Sequence, residues 1–193
     1  MKFNDVVVFH GHSCPGLALG YRAAMAALEE FSLKHSEDEE IVCIVENDSC
    51  AVDAVQVITG CTFGKGNLIF KDYGKQVYPF IDRKTGRAIR ISVDFDYKET
   101  EEEKALWLRF VKGERSSEVT NFINRRKTEK INRILEAPKN EILKITYPDI
   151  IPPKEARVFK SVRCQYCGEK VAEAKARLLN GNILCIPCFE NSL

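Results

Sequence analysis

The organisation of this chain is decided at residues 10–16, where the sequence reads HGHSCPG. This stretch follows a short apolar run at residues 6–9, which is expected to be a strand, and precedes a helical pattern. If the segment is extended, alternate side chains point the same way, so His10, His12 and Cys14 are predicted to converge. Pro15 suits the first turn of a helix, and a helix N-terminus favours the thiolate form of Cys14. Imidazoles beside a thiolate indicate a metal site or a nucleophile. The alternative is a helix-entry loop with a buried cysteine and two hydrogen-bonded histidines.

Length and composition indicate a globular protein without a strong electrostatic preference. The 193 residues suffice for one sizeable domain and one small one. A net charge of +1 gives no overall attraction to nucleic acid or to an anionic membrane. No apolar segment approaches the ~20 residues that span a bilayer, and the first residues lack a signal-peptide profile, so we expect a cytoplasmic protein. Eight cysteines in a reducing compartment indicate metal binding or catalysis rather than disulfides.

Hydrophobic periodicity predicts an α+β fold, with a mixed or antiparallel sheet packed against helices. Helices are predicted from Leu17 onward, over residues 51–59, and in two charged segments that begin near residues 99 and 116. Strands are predicted at residues 41–45 and 142–145 and, as an antiparallel meander, at residues 68–70, 76–81 and 87–95. Asp48 or Ser49 is the expected N-cap of the second helix, and Gly60 is expected to end it. Proline-rich residues 151–160 are predicted to link a core domain, residues 1–150, to a small domain at residues 161–193.

A second group of candidate site residues follows the strand at residues 41–45. Cys61 lies in the glycine-rich segment GCTFGKGN at residues 60–67, which is either a flexible loop facing the His/Cys stretch or a tight turn into the next strand. We expect the core centre to use His10, His12, Cys14 and Cys61 as ligands, with His12, Cys14 and Cys61 as candidate catalytic groups. Asp53 is expected to orient an imidazole and Lys65 to meet an anionic substrate. Cys50 is a reserve ligand, and Cys43 is expected to be a small core residue.

The C-terminal tail has the spacing of a zinc-ribbon-like domain. Cys164 and Cys167 form one pair, and Cys185 and Cys188 form another after seventeen intervening residues. Two such pairs predict a tetrahedral four-thiolate Zn²⁺ site. Residues 180–182, Asn-Gly-Asn, predict a hairpin turn between the two halves. Because so short a segment buries little apolar surface, zinc is expected to supply folding free energy on the order of 10 kcal/mol. With all four positions filled by protein, this zinc is structural.

Both parts of the chain resemble known families. Residues 9–16, together with Gly20 and Arg22, are similar to the opening motif of the FmdE family, which is named after formylmethanofuran dehydrogenase. Residues 50–67 resemble the second signature of that family, and residues 72–75 continue the match. The tail is similar to the zinc fingers of the DksA/TraR type. The resemblance implies an α+β core, commonly a homodimer, with a metal or active-site pocket at the His-x-His-x-Cys segment.

The resemblance leaves the role of the protein open between two hypotheses. The family is associated with molybdenum or tungsten enzymes that interconvert CO₂ and formylmethanofuran. An accessory or stand-alone role is favoured here, because the chain has no pterin-binding domain and no ferredoxin-like cysteine series. The core is then either a metal- or thiol-dependent catalyst or metal carrier, with a second divalent transition metal, or a non-catalytic dimeric subunit that docks to a redox enzyme. A zinc-ribbon regulator that binds nucleic acid is disfavoured by the near-zero charge.

Overall fold

The computed structural model describes residues 1–193 as two units, Met1–Glu155 and Ala156–Leu193. Their boundary falls inside the segment predicted to be a linker. The first unit has the predicted α+β composition. Its elements in chain order are α1 (Phe3–His10), α2 (Pro15–Phe31), β1 (Ile41–Val45), α3 (Ala51–Thr59), β2 (Leu68–Phe70), β3 (Val77–Asp82), β4 (Ala88–Val93), α4 (Glu101–Val111), α5 (Ser117–Glu136), α6 (Lys139–Ile142) and β5 (Leu143–Thr146). None of the helices is long and apolar enough to cross a membrane.

The five strands of this unit form one open sheet in the order β2-β1-β3-β4-β5. The pairs β1–β3, β3–β4 and β4–β5 are antiparallel, whereas β2 lies parallel to β1 at the edge. The predicted meander is therefore correct for β3 and β4 and wrong for β2. The reason is that α3 connects β1 to β2, and a helical crossover returns the chain to the same end of the sheet, which makes neighbouring strands parallel.

The start of the chain is helical, which corrects the expected strand at residues 6–9. The Asp5 carboxylate accepts a hydrogen bond of 2.7 Å from the backbone N–H of Lys2, and Gly11, at φ 88°, ends α1. Val6 is fully buried, whereas Val8 is 76% exposed. A half-buried strand would turn both of these side chains to the same face, so the burial pattern follows the helical period instead.

Helix α2 packs closely on α3 because small residues line their contact. A Cβ atom placed on Gly20 would lie 2.2 Å from the carbonyl oxygen of Ala51, so only glycine fits at this crossing. Both helices cover the sheet face that carries Tyr78, Phe80 and Ile91. The opposite face holds a smaller apolar cluster. The core therefore lies mainly between the helices and one face of the sheet.

The guanidinium group of Arg22 connects α2 to the C-terminal end of α5. It donates hydrogen bonds of 2.6, 2.8 and 2.7 Å to the carbonyl oxygens of Ile134, Leu135 and Ala137. The last carbonyls of a helix have no partner within the helix. A cation at that end satisfies them and interacts favourably with the helix dipole. Arg22 thus holds α5 against the helix that carries Cys14.

The second unit consists of two hairpins and a short helix. Its elements are β6 (Ser161–Arg163), β7 (Lys170–Ala172), a 3₁₀ turn (Glu173–Lys175), β8 (Arg177–Leu179), β9 (Asn182–Leu184) and α7 (Ile186–Glu190). Asn180 and Gly181 have φ angles of 49° and 81°, which form the predicted hairpin turn between β8 and β9. Cys164 and Leu184 are the buried residues of this unit. So small a core cannot stabilise the unit without a further cross-link.

Candidate metal centres

Four side chains of the first unit converge on one point. The potential ligand atoms of His10, His12, Cys14 and Cys50 all lie within 4.8 Å of one another. His10 is the last residue of α1, Cys14 is the N-cap of α2, and Cys50 is the N-cap of α3. The close packing of α2 on α3 brings the two cysteines together, and the short loop after α1 brings both histidines to them.

His10 is held in a fixed orientation by an acidic side chain. Its Nδ1 atom lies 2.6 Å from Oδ2 of Asp53, and Oδ1 of Asp53 accepts a weaker contact of 3.4 Å from Gln56. Because a carboxylate only accepts hydrogen bonds, Nδ1 carries a proton, and in the neutral imidazole Nε2 keeps its lone pair. The Nε2 atom is buried and has no hydrogen-bond partner. Asp53 therefore contacts an imidazole, as expected, and leaves its other nitrogen available to a metal.

His12 differs from His10 in its surroundings. Its side chain is exposed, and its ring lies 4.4 Å from the ring of His10, measured between centroids, at an angle of 42°. The structure gives the His12 imidazole no hydrogen-bond partner. It belongs to the loop between Gly11, which ends α1, and Cys14.

The two thiols of the cluster stand close together at helix N-termini. The Sγ atom of Cys14 accepts a hydrogen bond of 3.3 Å from the backbone N–H of Leu17. Burial nevertheless raises the pKa of Cys14, and the neighbouring Cys50 raises it further. Burial of Cys14 therefore outweighs the effect of the helix N-terminus, which was expected to favour the thiolate form. A bound divalent cation would reverse this balance, because a coordinating thiol is deprotonated.

Cys61 does not reach the cluster, contrary to the expectation from sequence. Its thiol is fully buried and donates a hydrogen bond of 3.3 Å to the carbonyl oxygen of Ile41, and burial raises its pKa to about 11. The reason is the length of α3, whose nine residues separate its two ends by roughly 14 Å at 1.5 Å per residue. Cys50, at the other end, takes the fourth place. Cys50 lies three residues before Asp53, so both residues are on the same side of the start of α3. This spacing is visible in the sequence.

Lys65 also lies away from the cluster. Its Nζ atom donates hydrogen bonds of 3.2 and 3.3 Å to the carbonyl oxygens of Ser36 and Glu37. The side chain of Asn67 braces the same loop by accepting from the Thr62 backbone N–H at 2.9 Å. The glycine-rich segment is thus a structured turn, and Lys65 is not placed to meet a ligand of the core cluster.

A buried polar network that the sequence did not indicate holds the segment before Cys50. The amide oxygen of Asn47 accepts hydrogen bonds from the backbone N–H and the hydroxyl of Ser49. The amide nitrogen of Asn47 donates to the hydroxyl of Tyr78, which in turn donates to Gln76 at 2.6 Å. Gln76 completes the network by donating to the Ser49 hydroxyl at 3.0 Å. These hydrogen bonds therefore fix the turn from β1 into α3, and with it the position of Cys50.

The second unit brings its four cysteines together as predicted. The sulfur atoms of Cys164, Cys167, Cys185 and Cys188 lie within 4.8 Å of one another. Backbone N–H groups of Cys167 and Cys185 lower the pKa of the Cys164 thiol to about 6. Such amide-to-sulfur contacts favour the thiolates that bind zinc.

The α+β core with its His/Cys cluster and the four-cysteine tail define a metal-binding protein with a structural zinc finger. Residues 9–144 match the family described as FmdE, molybdenum formylmethanofuran dehydrogenase operon. Residues 157–192 match the prokaryotic dksA/traR C4-type zinc finger. The chain therefore belongs to the FmdE family, as the resemblance of its motifs predicts, and ends in a C4 zinc finger.

Individual proteins similar to this chain have been described in a bacterium and an archaeon. One is known from the crystal structure of a tungsten formylmethanofuran dehydrogenase subunit e (FmdE)-like protein from Syntrophus aciditrophicus, with a TM-score of 0.64, 26% identity, and coverage of 98% of this chain and 90% of that one. Another is a probable S-adenosyl-L-methionine-binding protein of Archaeoglobus fulgidus, 32% identical over 188 residues, which are 93% of this chain and 50% of that protein. The chain spans about half the length of this curated relative.

Proposed function

We propose that the core domain binds one transition-metal ion through His10, His12, Cys14 and Cys50, separately from the zinc of the finger. We base this on the Nε2 atom of His10, which is buried without a hydrogen-bond partner inside a cluster of two thiols and a second imidazole. A buried polar atom left unpaired costs about 1–3 kcal/mol. A metal ion at the centre of the cluster would satisfy this nitrogen and both sulfurs at once.

The donor set favours soft and borderline metals. Two sulfur and two nitrogen atoms suit zinc, copper, nickel or iron, whereas magnesium and calcium require oxygen ligands. When bound, such an ion supplies Lewis acidity or, for a redox metal, an electron-transfer site. The chain's own residues prepare the site, since Asp53 fixes the proton of His10 on Nδ1 and Cys14 is held by the Leu17 amide.

The core centre is proposed to serve activity rather than folding. The first unit has an extensive apolar core of its own, built from α2, α3, α5 and the sheet, so its fold does not depend on a metal. The finger lacks such a core. The family description connects the FmdE fold with a molybdenum formylmethanofuran dehydrogenase operon, and the structural neighbour is described as similar to a tungsten formylmethanofuran dehydrogenase subunit. Both descriptions support a metal-dependent or accessory role beside a molybdenum or tungsten oxidoreductase. The S-adenosylmethionine binding named for the archaeal relative belongs to a protein of about twice this length.

Metal analysis of matched cysteine variants tests the proposal. The full chain is purified without added metal, and bound ions are counted by mass spectrometry for wild type, Cys50→Ala and Cys61→Ala. We expect two ions per chain in wild type and in Cys61→Ala, and one in Cys50→Ala. Anomalous scattering at metal edges identifies each ion. One ion per chain in all three proteins would refute the core centre and leave a zinc-stabilised binding subunit.

A further inference from the structure

We infer that His12 is a displaceable ligand of the core centre, and that a small anion or thiolate from solution binds at the position it vacates. This inference rests on the proposed metal site and identifies which of its four coordination positions can exchange its ligand. It follows from a difference in how the four ligands are held.

Three of the four ligands are held by hydrogen bonds of their own side chains or of the segment that carries them. His10 is bound to Asp53 through Nδ1, and its side chain is only 13% exposed. Cys14 caps α2 and accepts the Leu17 amide, and Cys50 begins α3 after a segment fixed by the Asn47 network. His12 has none of these supports, because its ring contacts the His10 ring and otherwise faces solvent.

Release of the two imidazoles from a metal would have unequal consequences. If His10 left the ion, its Nε2 atom would remain buried without a partner, which is unfavourable. If His12 left, its nitrogen atoms would be hydrated at once, because the side chain is exposed. His12 is an exposed residue of the loop between α1 and α2, so its side chain can turn towards water while the three helices stay in place. Dissociation of His12 is therefore the favoured way to open the centre.

The ligands that remain form a set suited to an open centre. His10, Cys14 and Cys50 supply one imidazole and two thiolates, and catalytic zinc sites typically combine three protein ligands with one exchangeable position. The exposed side of the cluster also gives an incoming molecule access from solvent. A four-ligand centre that is closed at rest would thus become a three-ligand centre with one free position.

The helix N-termini around the cluster favour an anionic occupant. A divalent ion with two thiolates and a neutral His10 carries no net charge, and the Asp53 carboxylate that contacts His10 adds one formal negative charge nearby. The N-termini of α2 and α3 both end at the cluster, at Cys14 and Cys50, and the positive ends of helix dipoles stabilise added negative charge. An anion or thiolate that replaces the neutral His12 therefore gains an interaction that a neutral ligand does not.

Cobalt substitution tests the inference in the full chain. Wild type, His12→Ala, His10→Ala and the control His35→Ala are loaded with Co²⁺, and the spectrum of Cys50→Ala is subtracted to remove the contribution of the finger. His35 is the matched control, since it is also exposed and lies outside the cluster. Core cobalt is expected in His12→Ala and His35→Ala and is expected to be lost in His10→Ala.

Titration with azide and with 2-mercaptoethanol then probes the vacated position. We expect a saturable shift of the cobalt absorption bands in His12→Ala at lower concentrations than in wild type, with His35→Ala behaving as wild type. Loss of core cobalt from His12→Ala, or bands in that variant that neither probe changes, would overturn the role of His12 while leaving the metal site intact. Absence of core cobalt from wild type would instead refute the metal site itself, and the inference with it.

Discussion

The substitution Gly20→Ala tests the close packing on which the core cluster depends. A Cβ atom at this position would lie 2.2 Å from the carbonyl oxygen of Ala51 and 2.6 Å from its Cα atom. Contacts of a Cβ atom below 3.0 Å are essentially never found, so the two backbones would have to separate by at least the difference, 0.8 Å. The obstacle is the backbone of α3, which cannot rotate away as a side chain would.

The expected loss of stability follows from two opposing effects. Overpacking of a core costs about 1–3 kcal/mol, and a clash with backbone belongs at the upper end of this range. Alanine is favoured over glycine inside a helix by about 1 kcal/mol, which offsets part of the cost. We therefore expect Gly20→Ala to lower the free energy of unfolding by about 2 kcal/mol. For a domain of this size, that corresponds to a decrease in Tm of about 4–8 °C.

Urea unfolding followed by circular dichroism measures this loss, with Gly16→Ala as the matched control on the same helix. A Cβ atom at Gly16 would lie 3.6 Å from the Cβ of Cys50, an ordinary contact, so this variant should be as stable as wild type or up to about 1 kcal/mol more stable, because alanine is favoured over glycine in a helix. Separation of α2 from α3 should also weaken core metal binding in Gly20→Ala alone. Equal stability of both variants and wild type would show that α2 and α3 are not packed as closely as described.

Three further predictions concern single side chains. Asp53→Asn should lower the affinity for the core metal by about 10–100-fold, measured by competition with a chelator, while the finger keeps its zinc; unchanged affinity would contradict the role of Asp53 in orienting His10. Arg22→Met should lower the free energy of unfolding by about 2–3 kcal/mol in urea, since three hydrogen bonds to carbonyls at the end of α5 are lost. At pH 8 the thiol of Cys61, with its pKa of about 11, is protonated in all but about one molecule in a thousand, so mass spectrometry should find it unmodified by iodoacetamide in the native protein. Rapid labelling there would mean that it is not buried as described.

Much of the fold was predictable because long periodic segments leave few alternatives. Helix α2, strand β1 and the paired cysteines of the finger follow directly from periodicity and spacing. The four apolar residues at 6–9 were ambiguous, since a short apolar run suits a strand or one turn of a helix equally well. The hydrogen bond from the Lys2 backbone to Asp5 at the start of α1, and the C-cap Gly11 at its end, favour the helix.

Which cysteine becomes the fourth member of the core cluster depends on distances in the folded structure that the sequence does not give. Cys61 lies in a glycine-rich segment that suggested a site, so the sequence favoured it as the fourth ligand and left Cys50, at a helix start, in reserve. The two are at opposite ends of α3, so at most one of them can meet Cys14. Only the crossing of α2 over α3 at Gly20 determines that the N-terminal end, with Cys50, faces the histidines. The buried network around Asn47 likewise joins residues about 30 positions apart, which no local pattern reveals.

Helix ends are the segments of a folded protein that open most readily. His10 ends α1, Cys14 begins α2 and Cys50 begins α3, so a single ion at the cluster would tie down three such ends together. Hydrogen exchange would then slow at all three termini when metal is added, beyond the general stabilisation that any ligand of the folded state confers. The amide of Leu17, which donates to the Cys14 sulfur, is a natural reporter of occupancy.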